Sequence, residues 1–167
     1  MKSSRSKPRK VAIALEMHWG HKRHQETYAG CLNYANEAGW NCVITPNSER
    51  VLQPKKNERP FDGVLARASK SMAQTAGKLG LPIVNVWLNS PASQVPSVLP
   101  DFEESGRIAA KHLMSRGFKR FGYLGYHRDL DAKRQNEGFR SILESKGFNC
   151  TTHRFSRTSM EGNTIEW

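Results

Sequence analysis

The sequence predicts an α/β fold: a three-layer, doubly wound parallel sheet with helices on both of its faces. Three observations carry this. Short apolar runs alternate with helix-spaced segments from residue 11 to about 155. The apolar runs are continuous, as in strands buried on both faces. Each strand–helix–strand step has the order of a βαβ unit, whose crossover is right-handed.

The elements follow in order. VAIALEM, 11–17, is the first strand, followed by the polar loop HWGHKRH. HQETYAGCLNYANEAG, 24–39, has Tyr28, Cys31, Leu32, Ala35 and Ala38 on one helical face, and Gly39 as a stop. WNCVITP, 40–46, is the second strand. Residues 47–60 are polar, with room for a short helix at 50–52. FDGVLARA, 61–68, is the third strand. A helix over 69–80 has Ser69 as its N-cap and Gly80 as its stop. PIVNVWL, 82–88, is the fourth strand, and a Pro/Ser-rich loop with a short extended piece at 97–99 follows. Asp101 caps the next helix, with Glu104 at capping-box spacing. Its expected apolar face is Phe102, Ile108, Ala109 and Leu113, and Gly117 ends it. FGYLGY, 121–126, is a strand. A helix containing Gly138, Phe139, Ile142 and Leu143 runs to Gly147, and FNCTTHRF, 148–155, is the last strand.

Charge is unevenly placed. The formal net charge is +11 over 167 residues. The first ten residues hold Lys2, Arg5, Lys7, Arg9 and Lys10 and no acid. They are expected to form a disordered basic arm; its other reading is a contact to nucleic acid phosphates. Ten residues are too few for a helix-turn-helix. The three cysteines, Cys31, Cys42 and Cys150, lack CxxC spacing and read as reduced thiols in a cytoplasmic protein. No apolar run reaches the ~20 residues of a membrane span, and no signal peptide is visible. Export as a sugar-binding protein is therefore not expected.

Catalytic patterns are missing: there is no GxSxG, phosphate loop or HExxH, so no enzyme is expected. A receiver-type or flavodoxin-like enzyme domain would carry an acidic cluster or phosphate loop after the first strand, where this chain is basic. Asp129 and Asp131 sit at a helix start and read as capping residues rather than a catalytic pair. His18, His21 and His24 follow the first strand, but no cysteine or carboxylate stands at a matching spacing, so neither a metal nor a cofactor is expected.

In such sheets ligands bind beyond the carboxyl ends of the strands. The relevant loops are 18–24, 66–70, 88–101 and 126–134. They hold the candidate ligand residues His18, Trp19, Arg23, Gln25, Arg67, Asp101, Arg134 and Gln135. Trp19 would stack on the apolar face of a sugar, while His and Arg side chains donate to its hydroxyls. Asp101 would accept from hydroxyls.

The segment 95–150, with its Asp101 junction, the Gly106–Leu113 helix, RGFKRFGYLG and RQNEGF, resembles the effector domain of LacI-type regulators. VAIALEM and the segment YAGCLNYANEAGWNCVITP resemble the opening of the same fold, one lobe of a type I periplasmic-binding-protein-like domain. The loop-then-helix ending in YAG is similar to xylose-operon regulators, in which an AraC-type DNA-binding domain follows the sensor. The resemblance implies a sugar-responsive transcription regulator with a xylose-like pentose effector, homodimeric at full length. The chain would then be its N-terminal part: lobe 11–155, a crossover beginning at 156–167, and DNA contacted through a further domain. Two positions depart from the pattern. Gln135 stands where LacI-type sugar binders carry a ligand arginine, with Arg134 beside it. Gln25 stands where xylose regulators carry an arginine, with Arg23 nearby. These departures leave the identity of the sugar open.

Overall fold

The computed structural model describes residues 7–18, 22–45, 52 and 61–156. Its contacts group into two compact units, Met1–Leu99 and Pro100–Trp167, each with its own parallel sheet. The boundary between the units falls at Leu99–Pro100, inside the span 11–155.

The first unit contains β1 (Lys10–Ala14), α1 (Arg23–Ala38), β2 (Asn41–Ile44), β3 (Gly63–Ala66), α2 (Lys70–Leu79) and β4 (Ile83–Asn85). Its sheet order is β2-β1-β3-β4, with every neighbour parallel. The chain winds outward from β1 to β2, then returns to the other side of β1 for β3 and β4. The winding therefore reverses between β1 and β3, and this is the switch point of a doubly wound sheet. Small residues on the strands, Ala12, Ala14 and Ala66, join Val64, Met72, Ala76 and Ile83 in one buried cluster. Alternation turns Ile13 and Leu15, both 1% exposed, to the opposite face.

Lys10, assigned to the arm, instead opens β1. The carbonyl of Arg9 accepts from the Asn41 amide (2.8 Å), and the Arg9 guanidinium lies 5.3 Å from the Trp40 ring centroid. The end of the arm is thus tied to the sheet; residues 1–6 lie outside the described residues.

Helix α1 buries His24 and Ala35, with Tyr28, Cys31 and Leu32 half-buried beside them. It stops at Gly39, whose φ of 67° is the left-handed value a Cβ disfavours. The Ser69 hydroxyl caps α2 by accepting the Met72 amide at 3.2 Å, and Gly80 ends it at φ 58°. The helix expected at 50–52 falls outside the described residues except for Leu52, which is buried. The fourth strand is shorter than its apolar run predicts. It ends at Asn85, because the Trp87 amide donates to the Asn85 side chain and the backbone turns there. The expected extended piece is a single parallel bridge between Asn85 and Ser97.

The second unit contains α3 (Phe102–Ser115), β5 (Phe121–Tyr126), α4 (Leu130–Ser145) and β6 (Cys150–Phe155). β5 and β6 pair in parallel from Phe121↔Cys150 to Tyr126↔Phe155. Phe121, Phe139, Ala110 and Leu143 form the core, with Phe121 edge-on to Phe148 at 5.2 Å and to Phe139 at 6.4 Å.

Helix α3 corrects the predicted face. Phe102, Gly106 and Ala110 are its buried residues, whereas Ala109 is exposed and Ile108 is 58% exposed. The face is chosen by backbone contact with α4. A Cβ on Gly106 would meet the Gln135 carbonyl oxygen and, at 2.8 Å, the Phe139 nitrogen; a Cβ on Gly138 would meet the Glu103 carbonyl oxygen. Two glycines therefore set the approach of the helices, and the larger side chain of Ile108 is turned away. The cap holds as predicted, with Asp101 accepting the Glu104 amide at 2.9 Å. The reciprocal half of a capping box is not made, because the Glu104 carboxylate turns to Arg107 (3.2 Å) and Lys111 (3.7 Å).

Candidate functional site

The carboxyl edge of the first sheet is built around Asn85. This side chain is 2% exposed, and its polar atoms are used. Oδ1 accepts the amides of Ala68 and Trp87, both at 3.1 Å. Nδ2 donates to the Trp87 carbonyl (2.8 Å) and to the Ser97 hydroxyl (2.9 Å). The Ser90 hydroxyl adds a bond to the Ala68 carbonyl at 2.6 Å. The loop after β4 is thereby stitched to the loop after β3. The result is a fixed pair, with the Arg67 guanidinium 4.6 Å from the Trp87 ring centroid. The register Ala14↔Ala66 makes Leu15 and Arg67 the next residues at one edge, beside the switch point.

The loop after β1 is held from α1. The buried His24 sets Nδ1 2.8 Å from the Glu16 carbonyl, and the Gln25 amide donates to the Met17 carbonyl at 3.3 Å. Gln25, predicted as a ligand residue, thus braces its own loop. His18 is exposed at the edge, Arg23 is half-buried in the first turn of α1, and Trp19 and His21 lie outside the described residues. His24 is buried, and among the described residues no His, Cys, Asp or Glu group is arranged to hold a metal.

In the second unit Asp101 is the exposed cap of α3 and Arg134 is exposed on α4. Gln135 is engaged at both ends: it accepts from the Tyr123 hydroxyl (3.3 Å) and donates to the Ser105 hydroxyl (3.4 Å). Burial, and then the Asp129 charge, push the Tyr123 phenol above its ordinary pKa. A cleft of about 260 Å³ opens at the carboxyl end of β5. Tyr126, Arg128, Asp129, Lys133, Asn136 and Arg154 are among its lining residues; Asp101, Arg134 and Gln135 are not. Asp129 caps α4 as predicted, with Oδ1 accepting the Asp131 amide at 3.1 Å. Arg128 holds a left-handed φ of 61°, rare for a side-chain-bearing residue and concentrated at functional turns.

Two groups of residues escaped the sequence reading. Asn85 and Trp87 sit in an apolar run that reads as plain strand. Arg154 enters the cleft because parallel pairing sets it opposite Gly125, 29 positions away in sequence. The loop 126–134 was the one signal that pointed to this cleft.

No family model and no curated protein matches the chain. Solved structures do. The transcription regulator CcpA of Lactococcus lactis superposes with a TM-score of 0.63 at 16% identity, over 92% of this chain and 61% of that one. A periplasmic binding protein/LacI transcriptional regulator of Alkaliphilus metalliredigens, complexed with D-xylulofuranose, gives 0.63 at 16%, over 88% and 56%. A LacI family regulator of Enterococcus faecium with bound ribose gives 0.64 at 14%, over 89% and 58%. The chain has the α/β fold of LacI and periplasmic-binding-protein-like domains and spans about three-fifths of the length of these neighbours. The neighbours are regulators and binding proteins. Among the described residues no helix is long and apolar enough to cross a membrane.

Proposed function

We propose that this chain is the effector-binding part of a sugar-responsive transcription regulator, with a pentose as effector and no catalytic role. The observation that carries this reading is the Arg67–Trp87 pair, fixed by Asn85 at the carboxyl edge beside the switch point. A sugar has apolar C–H faces and polar edges, and an indole held beside a guanidinium offers a partner to both. Two structural neighbours add support, one complexed with D-xylulofuranose and one with bound ribose. Trp19 would stack on the sugar's apolar face, and His18, Arg23 and Gln25 would add polar contacts from the loop after β1 and the first turn of α1. Asp101, Arg134 and Gln135 are proposed as effector contacts of the second unit, with Gln135 acting through its link to Tyr123.

The finer parts of the reading rest on sequence resemblance. They are a xylose-like ligand, an AraC-type DNA-binding domain beyond this segment, a homodimer at full length and a cytoplasmic setting. The start of a crossover at 156–167 rests on that resemblance too.

Trp87 supplies the test. Tryptophan fluorescence of the 167-residue chain is titrated with xylose, ribose, xylulose and a hexose, in parallel with calorimetry. Saturable binding of a pentose, weakened at least tenfold by Trp87→Ala or Arg67→Ala, is the expected result. Failure of every sugar to bind the folded chain would overturn it.

A further inference from the structure

We infer that the cleft of the second unit binds a phosphate group, so that the effector is a phosphorylated monosaccharide rather than a neutral sugar. This inference rests on the sugar-effector reading above. Arg128, Lys133 and Arg154 line the cleft together with a single carboxylate, Asp129. They come from three places, the β5–α4 turn, the first turns of α4 and the end of β6, so no one local stretch accounts for the convergence. Asp129 is committed in part to its cap, where it holds the Asp131 amide. Among the described residues Lys133 pairs with Glu137 at 3.9 Å. Both side chains are more than half exposed, so water screens that pair.

Three cations against one carboxylate leave a charge of +2 around a small cavity. A phosphate monoester carries about −1.5 to −2 near neutral pH and offers three acceptor oxygens, which matches this charge where a carboxylate or hydroxyl does not. The guanidinium forks of Arg128 and Arg154 suit two oxygens each, and Lys133 supplies a point charge. At about 260 Å³ the cleft lies just below the usual range of roughly 300–1,000 Å³ for drug-sized ligands. It fits a phosphate with part of one ring. Tyr126 and Tyr123 line the same space and present aromatic surface to the sugar.

The test is calorimetry on the 167-residue chain with ribose, ribose 5-phosphate, ribonate and inorganic phosphate. Ribose 5-phosphate is expected to bind at least tenfold more tightly than ribose and ribonate. Lys133→Gln with Arg154→Gln should erase that ratio while leaving ribose affinity and the circular dichroism spectrum unchanged. Equal affinity for ribose and its phosphate would overturn the inference and leave the sugar reading standing. A preference that survives in the double variant, or ribonate equal to the phosphate, would also overturn it. Inorganic phosphate binding as tightly as the ester would remove the sugar from this cleft. No binding of any of the four to the folded chain would sink both readings.

Discussion

The two units solve one problem in different ways. Each must hold loops at the carboxyl edge of a parallel sheet. The first does it with a buried polar side chain: Asn85 bonds to two loops, and its surroundings satisfy it in turn. The second does it with backbone packing, where Gly106 and Gly138 let α3 and α4 approach so closely that the start of α4, and the turn before it, are fixed in place. Polar and steric devices fail differently. A broken hydrogen-bond hub leaves orphaned amides in a fold that can persist, whereas a methyl group between two backbones forces the helices apart.

The largest effect should therefore come from Gly138→Ala. Its Cβ would fall inside the Glu103 carbonyl, with the Glu103 Cα at 3.1 Å, and backbone on both sides can yield only by moving. A loss of about 3 kcal/mol or more is expected, since overpacking costs roughly 1–3 kcal/mol even where side chains can adjust. Urea unfolding followed by hydrogen exchange should show lost protection across α3, α4 and β5, with β1–β4 much less affected. Uniform loss across both units would mean that they unfold as one, and the contrast would fall.

Asn85→Leu comes next. It strands the buried amide of Ala68, at about 1–3 kcal/mol, and the part-buried amide of Trp87, at less, partly offset by the apolar side chain that replaces the amide. A net loss of about 2–3 kcal/mol is expected. It should be accompanied by a change in Trp87 fluorescence at denaturant concentrations where the chain is still folded. An unchanged Trp87 signal would show that the loops are held by something other than Asn85.

Much of this was legible in sequence wherever the cause is local. Ser69, Asp101 and Asp129 cap helices because a short polar side chain ahead of a helical run has one obvious use. Gly39 and Gly80 stop helices for an equally local reason. What could not be read depends on partners distant along the chain. The exposure of Ile108 follows from the seat of Gly106 against α4, and a helical wheel of α3 alone favours the bulkier residue. The early end of β4 follows from what the Asn85 side chain does, within a run whose composition says strand. Of the eight candidate ligand residues, Arg67 lies beside the switch point, and Gln25 and Gln135 make hydrogen bonds to a neighbouring loop and strand that no helical wheel displays. The cleft cations could be gathered only by knowing that β6 pairs with β5 in parallel.

Asp101→Ala separates the cap from the ligand role. Loss of the bond to the Glu104 amide should cost about 1 kcal/mol. Asp101→Ser keeps an acceptor at the cap and should restore most of the stability. Effector affinity restored along with the stability would leave Asp101 a cap alone; affinity still reduced at least fivefold in the serine variant would assign it a direct contact.

The smallest effect concerns pH and again divides the units. Burial, then the charge of Asp129, raise the Tyr123 phenol. A folded pKa above the unfolded one means that the neutral phenol is favoured by folding. Its contribution is complete below the unfolded value of about 10 and is lost as pH rises through the folded value. Tyr123 is only partly buried, so the effect is screened and modest. Stability of α3, α4 and β5, followed by hydrogen exchange, should fall above about pH 10, and Tyr123→Phe should flatten that fall. Stability of the first unit should not respond to this substitution, because Tyr123 packs against the core cluster of the second unit. A matching response in both units would show that the alkaline loss comes from general charge repulsion in this basic chain and owes nothing to the phenol.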